Sequence, residues 1–348
     1  MIKIGIIGHF AEGQEKYDGQ TVSTRVWRSE LKKRNDIVEL HIVDTWNYKN
    51  RIIEVFVSTL DLLRQCSHIV FMLSGNGMSV MLPMLYYLNK HFKRNIYHRV
   101  IGGNLPNYVK EKPKWIKYLN SFQVNWVQSP KMVEELTRLG VVNAEFLENF
   151  RSAKPIEESE LLKIHPNTLF CTFCRVSKAK GIGDAIEAIS KVSKTEKGKD
   201  VELHIYGPID PEYEKEFLSL LNEYNDTTKY MGCINSEDAV NTLKQYYFHL
   251  FPTTWGGEGF PGTLIDCYNA GLPTIATDWA YNSEYIKDGE TGYLYNWKQP
   301  DMLQTKILQA LGDSEEEHHI MRINNLHEAE KYRSEIIMNK ILKRMNIC

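Results

Sequence analysis

The sequence has few cysteines for its length and no marked excess of either charge. Its 348 residues include six scattered cysteines, and 42 Lys+Arg against 44 Asp+Glu give a formal net charge of -2. Scattered cysteines are typical of the reducing interior of the cell rather than of a disulfide scaffold. A dedicated nucleic-acid binder carries a strong basic field, which is missing here. We therefore expect a cytoplasmic protein with no nucleic-acid partner.

The sequence also lacks an obvious leader and an uninterrupted hydrophobic span. Residues 1–8 have no long apolar core or small-residue cleavage site, so we expect no secretory signal. Residues 65–89 contain no Lys, Arg, Asp or Glu and are long enough to cross a bilayer. However, Ser74-Gly75-Asn76-Gly77 and Pro83 interrupt this stretch. It is predicted to form a buried strand, a glycine turn and a buried helix.

Short apolar runs alternate with helical patterns along most of the chain, which indicates an α/β fold of two doubly wound, Rossmann-like domains. A charged stretch at 149–166 is the predicted linker. The predicted domains are 1–150 and 151–325, with a C-terminal helix in 326–348 that packs back on the first domain. Two such domains predict a cleft between them, and clefts of this kind bind ligands. Residues 1–150 carry a net charge of +6 and the remainder -8, so an anionic partner is expected for the first domain.

The segment 251–278 is rich in residues suited to ligand binding. A predicted strand ends at Phe251, a glycine-rich loop follows, and a helix is predicted from Thr263. Glycines let the backbone approach a ligand, and a helix start offers unpaired N–H groups to an anion. Glu258 and Asp266 flank that helix start and could accept hydrogen bonds from sugar hydroxyls. The alternative is that Asp266 only favours the helix dipole and Glu258 is a solvated loop acid.

A second group of polar residues follows the predicted strand 168–174. Arg175 and Lys180 lie between this strand and a predicted helix, where the strand ends of a doubly wound domain line a binding crevice. They could clamp a diphosphate, or they could belong to a solvated basic loop. Cys171 and Cys174 have C-x-x-C spacing, but the strand would point the two sulfurs to opposite faces. We interpret these two cysteines as structural.

Together these segments resemble retaining glycosyltransferases of family 4, which have the GT-B fold of two Rossmann-like domains facing a cleft. The family signature E-G-F-P-x-x-L-x-E is similar to Glu258-Gly-Phe-Pro-Gly-Thr-Leu-Ile-Asp266, with Asp in place of the second Glu. Arg175 and Lys180-Gly181 are similar to the R-x-x-x-x-K-G element of the family. The resemblance is good over about residues 168–295. In the first half, 102–106 and 147–150 look like elements of bacterial capsule and surface polysaccharide glycosyltransferases.

The resemblance implies a metal-independent hexosyltransferase that uses a nucleotide diphosphate sugar, UDP-linked or GDP-linked, and no cofactor. It implies a saccharide or lipid-diphosphate-linked acceptor and a role in bacterial surface polysaccharide synthesis. The sequence has no Asp-x-Asp pair, the metal motif of the other large glycosyltransferase class. The implied catalytic residues are Glu258, Arg175 and Lys180. The implied donor-binding residues are Asp266, Phe260, Pro261, Gly262, Thr263, Gly19, Gln20 and Thr21.

For the acceptor side, a basic and aromatic stretch is the main signal. Lys90, Lys93, Arg94 and Arg99 are predicted to contact an anionic membrane at its inner face, because basic residues near such a surface are attracted to it. The alternative is an ordinary solvated surface. Two other function classes stay open on the same fold. One is a nucleotide-sugar isomerase of the 2-epimerase kind, and the other is a catalytically silent partner subunit.

Overall fold

A computed structural model describes residues 1–16, 18–36, 38–161 and 168–347. Cys348, residues 162–166 of the predicted linker and Asn167 lie outside the described residues. The chain divides into two compact units. Unit 1 comprises Met1–Ser152, Gly257–Phe260 and Arg333–Cys348, and unit 2 comprises Ala153–Gly256 and Pro261–Tyr332. Among the described residues, no helix has both the length and the apolar character needed to cross a membrane.

Unit 1 is built on a parallel sheet with the strand order β2-β1-β3-β4-β5-β6. Its strands are β1 (Ile2–Gly8), β2 (Val38–Asp44), β3 (His68–Met72), β4 (Asn95–Arg99), β5 (Val124–Val127) and β6 (Ala144–Phe146). The helices between them are α1 (Gly19–Lys32), α2 (Ile52–Gln65), α3 (Gly75–Phe92), α4 (Leu105–Glu111), α5 (Lys114–Leu119) and α6 (Pro130–Arg138). The central strands are largely buried on both faces, as expected for a parallel sheet covered by helices.

The buried strand and the helix predicted for 65–89 are present as β3 and α3, but the helix begins at the glycines rather than after them. Gly75 and Gly77 form the first turn of α3, and this helix continues through Pro83 to Phe92. Gly75 has a φ of +51°, which glycine adopts without steric cost, so the chain turns sharply and enters the helix at once. The prediction placed the glycines outside the helix because they are poor helix formers. Packing of the apolar face of α3, which includes Leu82 and Leu85, outweighs that preference.

Unit 2 is built on a second parallel sheet, with the order β12-β11-β10-β7-β8-β9. Its strands are β7 (Leu169–Phe173), β8 (Glu202–Tyr206), β9 (Thr228–Gly232), β10 (Phe248–Phe251), β11 (Thr274–Thr277) and β12 (Gly292–Tyr295). Its helices are α7 (Ile182–Ser193), α8 (Glu214–Glu223), α9 (Ala239–Leu243), α10 (Gly262–Asn269), α11 (Asn282–Tyr285), α12 (Met302–Ala310) and α13 (Glu315–Ala329). The predicted α/β class with two Rossmann-like domains is confirmed.

The C-terminal region contains two helices where the sequence predicted one over 326–345. Helix α13 ends at Ala329, a short 3-10 turn follows, and α14 spans Ser334–Arg344. Tyr332, in the turn, stacks on Tyr268 with ring centroids 5.7 Å apart, and Arg333 is extended with a ψ of 128°. Buried side chains of α14 join the core of unit 1, which also contains Trp27, Trp126 and Phe150.

Candidate active site

The strand order of unit 2 reverses between β7 and β10, which are neighbours in the sheet but not in sequence. In doubly wound sheets, ligands bind at such a topological switch point, outside the carboxyl ends of the strands. The loop after β7 carries Arg175 and Lys180, and the loop after β10 leads into α10. The topology therefore brings both sequence-predicted segments of unit 2 to one place.

The two loops are joined through their backbones. The N–H of Thr254 donates a hydrogen bond to the carbonyl oxygen of Ala179, at 2.9 Å. Gly181 has a φ of +70°, and a Cβ atom at this position would overlap the carbonyl oxygen of Pro252. Only glycine lets the chain adopt this conformation and approach so closely. The close approach at Gly181 thus holds the backbone of Lys180 next to the loop that follows β10.

Lys180 is half-buried, and its ammonium lies between two aromatic rings. The Nζ atom is 5.3 Å from the ring centroid of Phe251 and 4.9 Å from that of Trp255. Both distances are in the range of cation–π attraction. Arg175 is exposed, one position beyond the half-buried Cys174. The loop after β7 therefore offers one exposed cation and one cation held against aromatic faces.

A buried histidine lies close to Lys180. His249 in β10 is fully buried, with its Nδ1 atom 3.3 Å from the Thr274 hydroxyl. Burial, with a smaller contribution from the positive charge of Lys180, lowers the pKa of His249 to about 3. The imidazole is therefore neutral near pH 7, which leaves Lys180 as the charged partner of the two.

Four of the predicted donor-binding residues lie in α10 or directly before it. The Thr263 hydroxyl donates to the carbonyl oxygen of Phe173, at 2.6 Å, so it ties α10 to the end of β7 rather than capping the helix. Pro261 and Gly262, at the helix start, are half-buried. Asp266 is only 3% exposed, on the inner face of α10. Burying a carboxylate costs free energy unless other groups interact with it, and Asp266 does interact with at least one other group.

Glu258 belongs to the segment Gly257–Phe260, which is part of unit 1. The N–H of Gly103 donates to the carbonyl oxygen of Gly257 at 3.0 Å. Gln128 accepts from the N–H of Phe260 at 3.3 Å, and the Asn149 amide donates to the Phe260 carbonyl oxygen at 3.0 Å. Glu258 itself is 4% exposed. The interpretation of Glu258 as a solvated loop acid is therefore wrong.

Gly102 explains why this segment can lie so close. Its φ is +77°, and a Cβ atom there would come within 2.8 Å of the carbonyl oxygen of Gly257. Gln128 and Asn149 were not predicted as site residues. They lie after β5 and β6, and only the tertiary structure shows that their amides hold the backbone of Phe260. The sequence carries a signal for Gln128, because this polar residue directly follows the buried strand β5. Asn149 lies three residues beyond β6, a strand that is not buried, and has no such signal.

Gly19, Gln20 and Thr21 form the first turn of α1, at the switch point between β1 and β3 of unit 1. Thr21 is fully buried, and its hydroxyl donates to the Asp18 carboxylate at 2.7 Å. Gln20 accepts from the hydroxyl of Ser74 at 2.6 Å. Gly19 is exposed, with open space around its Cα. Of the three residues, Gly19 is the one that presents its backbone to solvent.

The predicted membrane contact is wrong for Arg99, which is buried. The structure shows that Arg94 bonds to the backbone of its own unit. Arg99 is fully buried, and its guanidinium donates to the carbonyl oxygens of Leu147 and Glu148. Half-buried Arg94 donates from its Nε atom to the carbonyl oxygen of Leu63, near the end of α2. Both arginines satisfy backbone oxygens and are structural. Exposed basic residues remain at Lys90, Lys93, Lys112, Lys114 and Lys117, and Lys90 and Lys117 lie over the ring of Tyr86.

Residues 154–326 match the family model described as "Glycosyl transferases group 1". Over this segment the chain is similar to group 1 glycosyltransferases, and the two Rossmann-like sheets agree with a GT-B fold. The match includes Arg175, Lys180, Glu258 and Asp266. The match supports the predicted resemblance to GT-B glycosyltransferases, while family 4 in particular stays a prediction.

The chain is also similar to individual glycosyltransferases. It is 34% identical over 110 residues to the capsular polysaccharide biosynthesis glycosyltransferase CapH of Staphylococcus aureus. The aligned segment covers 30% of this chain and 29% of CapH. Its fold is similar to that of Anabaena HepE in complex with UDP, with a TM-score of 0.78, 13% identity and complete coverage of both chains. It is also similar to S. aureus TarM, solved with UDP, with a TM-score of 0.66, 19% identity, and coverage of 84% of this chain and 58% of TarM. The chain thus spans less than two thirds of the length of CapH and of TarM.

Proposed function

We propose that this chain is a retaining glycosyltransferase that transfers a hexose from a nucleotide diphosphate sugar to a saccharide acceptor. The observation that carries the proposal is the pair Arg175 and Lys180 at the switch point of unit 2, inside the segment that matches group 1 glycosyltransferases. UDP is the first nucleotide to test, because the structurally similar HepE and TarM were solved with UDP. The partial match to CapH supports surface polysaccharide synthesis as the setting.

In this proposal the residues of unit 2 bind the nucleotide diphosphate. Negative charge grows on the diphosphate as the anomeric C–O bond breaks, and Arg175 and Lys180 stabilise it. Backbone N–H groups of the first turn of α10 contribute the positive end of the helix dipole. Asp266 accepts hydrogen bonds from the ribose hydroxyls. These steps use only charges and hydrogen bonds of the chain, in line with the predicted metal-independent reaction.

For residues of unit 1 the proposed roles rest on the resemblance. Glu258 orients the donor sugar through its hydroxyls, and Gly19–Thr21 contact the phosphates. No carboxylate acts as the nucleophile. The acceptor oxygen bonds to the anomeric carbon on the face that the diphosphate leaves, and the acceptor proton passes to the departing phosphate oxygen. This sequence of bond changes retains the anomeric configuration and balances the proton.

The test is a set of thermal melts with UDP, GDP, ADP and CMP. A ligand at 100 times its dissociation constant stabilises the protein by about 2.7 kcal/mol. We expect one nucleotide, UDP first, to raise the melting temperature of the wild type and not that of Arg175→Ala. The matched control is Lys215→Ala, which removes an exposed cation on α8 in the same unit. Equal stabilisation of wild type and Arg175→Ala would contradict the assigned diphosphate site.

Product analysis then separates the other classes. Incubation with the matching nucleotide sugar and no acceptor yields a changed nucleotide sugar if the protein is an isomerase. Nucleotide binding without turnover in the presence of an acceptor panel indicates a silent subunit. For a transferase we expect release of nucleoside diphosphate that depends on the acceptor and a product with the anomeric configuration of the donor.

We also propose a peripheral contact between unit 1 and the inner face of a membrane that carries a lipid-linked acceptor. The structure supports a corrected set of residues for this contact, which consists of Lys90, Lys93, Lys112, Lys114 and Lys117. All five are exposed, whereas Arg99 is fully buried. Anionic lipid attracts such a group by about 1 kcal/mol per basic residue.

A further inference from the structure

Trp255 is unusually well fixed for an exposed aromatic residue. Its side chain is 43% exposed, in a glycine-containing loop, with Gly256 and Gly257 following it. Nevertheless its backbone N–H donates to the Thr253 hydroxyl at 3.2 Å. Its carbonyl oxygen accepts from the indole Nε1–H of Trp279 at 2.9 Å. Both backbone polar groups of Trp255 are therefore hydrogen-bonded within unit 2.

Trp279 is itself held in a strained segment. The next residue, Ala280, has a φ of +53°, in the left-handed region that non-glycine residues seldom adopt. The ring of Trp279 meets that of Trp297 edge to face, with centroids 4.8 Å apart. The backbone N–H of Trp297 donates to the Asp278 carboxylate at 3.1 Å. Three tryptophans after β10, β11 and β12 therefore form one connected cluster.

The cluster ends on Lys180. The ammonium lies over the ring of Trp255, with Phe251 on a second side. A lysine side chain has four rotatable bonds, and a cation–π contact with an aromatic ring restricts the positions that its ammonium can take. The two rings therefore help to set where the Lys180 ammonium lies.

We propose that Trp255 is a positioning residue that holds the ammonium of Lys180 ready for the diphosphate of the donor, with Trp279 fixing Trp255. This inference rests on the proposed function, because that function supplies the diphosphate. Trp255 acts through Lys180 and need not touch the ligand. It follows that removing the aromatic ring weakens diphosphate binding only while Lys180 is present.

The experiment is a double-mutant cycle on UDP affinity, measured by calorimetry on the full chain. Trp255→Leu is expected to weaken UDP binding about tenfold, the size expected for a partly desolvated cation–π contact. Trp255→Phe keeps an aromatic face and should restore most of the affinity. In a Lys180→Ala background, Trp255→Leu should change the affinity less than twofold. Met231→Ala is the matched control, since Met231 is also 43% exposed in unit 2.

Two results would overturn the inference. One is an unchanged UDP affinity in Trp255→Leu, and the other is the same tenfold loss with and without Lys180. The second result would mean that Trp255 contacts the nucleotide by itself or shapes the loop. Failure of the proposed function looks different, because wild-type protein would then bind none of UDP, GDP, ADP and CMP. If another of these nucleotides binds, the same cycle is run with it.

Discussion

The two switch points of the molecule share an architecture but use their polar residues differently. In unit 1, the loop after β1 is tied down internally: the Asp44 carboxylate accepts from the N–H groups of Phe10, Ala11 and Glu12, at 2.9 to 3.3 Å. In unit 2, the loops after β7 and β10 bond to each other through backbone atoms. The loop after β7 carries two cationic side chains, with Arg175 exposed and the half-buried Lys180 lying against aromatic rings. The comparison shows that the topology sets only where a switch point lies. The contacts of the side chains around it decide whether charged groups face a ligand there.

The largest expected effect comes from two glycines in these loops. Gly13 and Gly181 have similar φ values, +71° and +70°. Nothing lies within 4 Å of a Cβ added at Gly13, whereas one added at Gly181 overlaps Pro252. Gly13→Ala should cost about 1 kcal/mol for the left-handed conformation alone, and Gly181→Ala about 4 kcal/mol because steric overlap is added. Chemical denaturation of both variants measures the difference, and equal losses would show that the Lys180 loop adapts freely.

A second prediction compares a buried arginine of unit 1, Arg99, with an exposed arginine of unit 2, Arg175. Arg99→Met should lower the free energy of unfolding by about 3 kcal/mol, because two buried carbonyl oxygens lose charge-assisted donors. Arg175→Met should change it by less than about 0.5 kcal/mol, as for most exposed positions, while abolishing the stabilisation by nucleotide. Denaturation with and without UDP tests both. A strong loss of stability in Arg175→Met would mean that Arg175 is structural, like Arg99.

The third prediction concerns pH and the buried histidines His98 and His249. Burial lowers the pKa of His98 to about 4 and that of His249 to about 3. Since an unfolded histidine has a pKa near 6.5, the unfolded state binds more protons below that pH, so stability is full above about pH 6.5 and falls with acid. Each histidine should lower the free energy of unfolding by about 2 kcal/mol between pH 7 and pH 5. The effects of the two histidines should differ only below about pH 4.

Single glutamine variants check this assignment. Denaturation of His98→Gln and His249→Gln at pH 7 and pH 5 should show a flatter pH dependence than the wild type. The flattening is expected to be equal for the two variants in this range. A variant that keeps the full slope would mean that its histidine is protonated in the folded state. His41, which is half-buried and 2.8 Å from Glu39, provides the control substitution.

The smallest expected effect is on the basic surface of unit 1. Lys90→Gln and Lys117→Gln should each reduce binding to vesicles with anionic lipid by about 1 kcal/mol, or roughly fivefold, and leave neutral vesicles unaffected. Lys215→Gln in unit 2 serves as the matched control. Co-sedimentation at two salt concentrations measures the effect. Binding that ignores anionic lipid content would remove the membrane proposal and leave the nucleotide site untouched.

The strands were the most predictable part of the fold. The end of β10 at Phe251 agrees with the prediction, because a short buried apolar run followed by polar and glycine residues has few other conformations. Helix ends were less predictable, as Gly75 shows, since local preference there competes with packing. The burial of Arg99 could not be predicted. It follows a run of basic residues that looks like a surface, and only its place in the central strand β4 exposes two carbonyl oxygens to it.

The sequence by itself determined the class of fold, the two series of strands and helices, and the segments that resemble glycosyltransferases. All three features depend on local patterns and on the spacing of residues along the chain, which can be seen in the sequence alone. The tertiary structure decided that Gly181 must be glycine, that Gly257–Phe260 is held by Gln128 and Asn149, and that Lys180 lies between Phe251 and Trp255. Each of these contacts joins residues far apart in sequence. No local pattern encodes such contacts, because they arise only when parallel strands bring distant loops to one edge of a sheet.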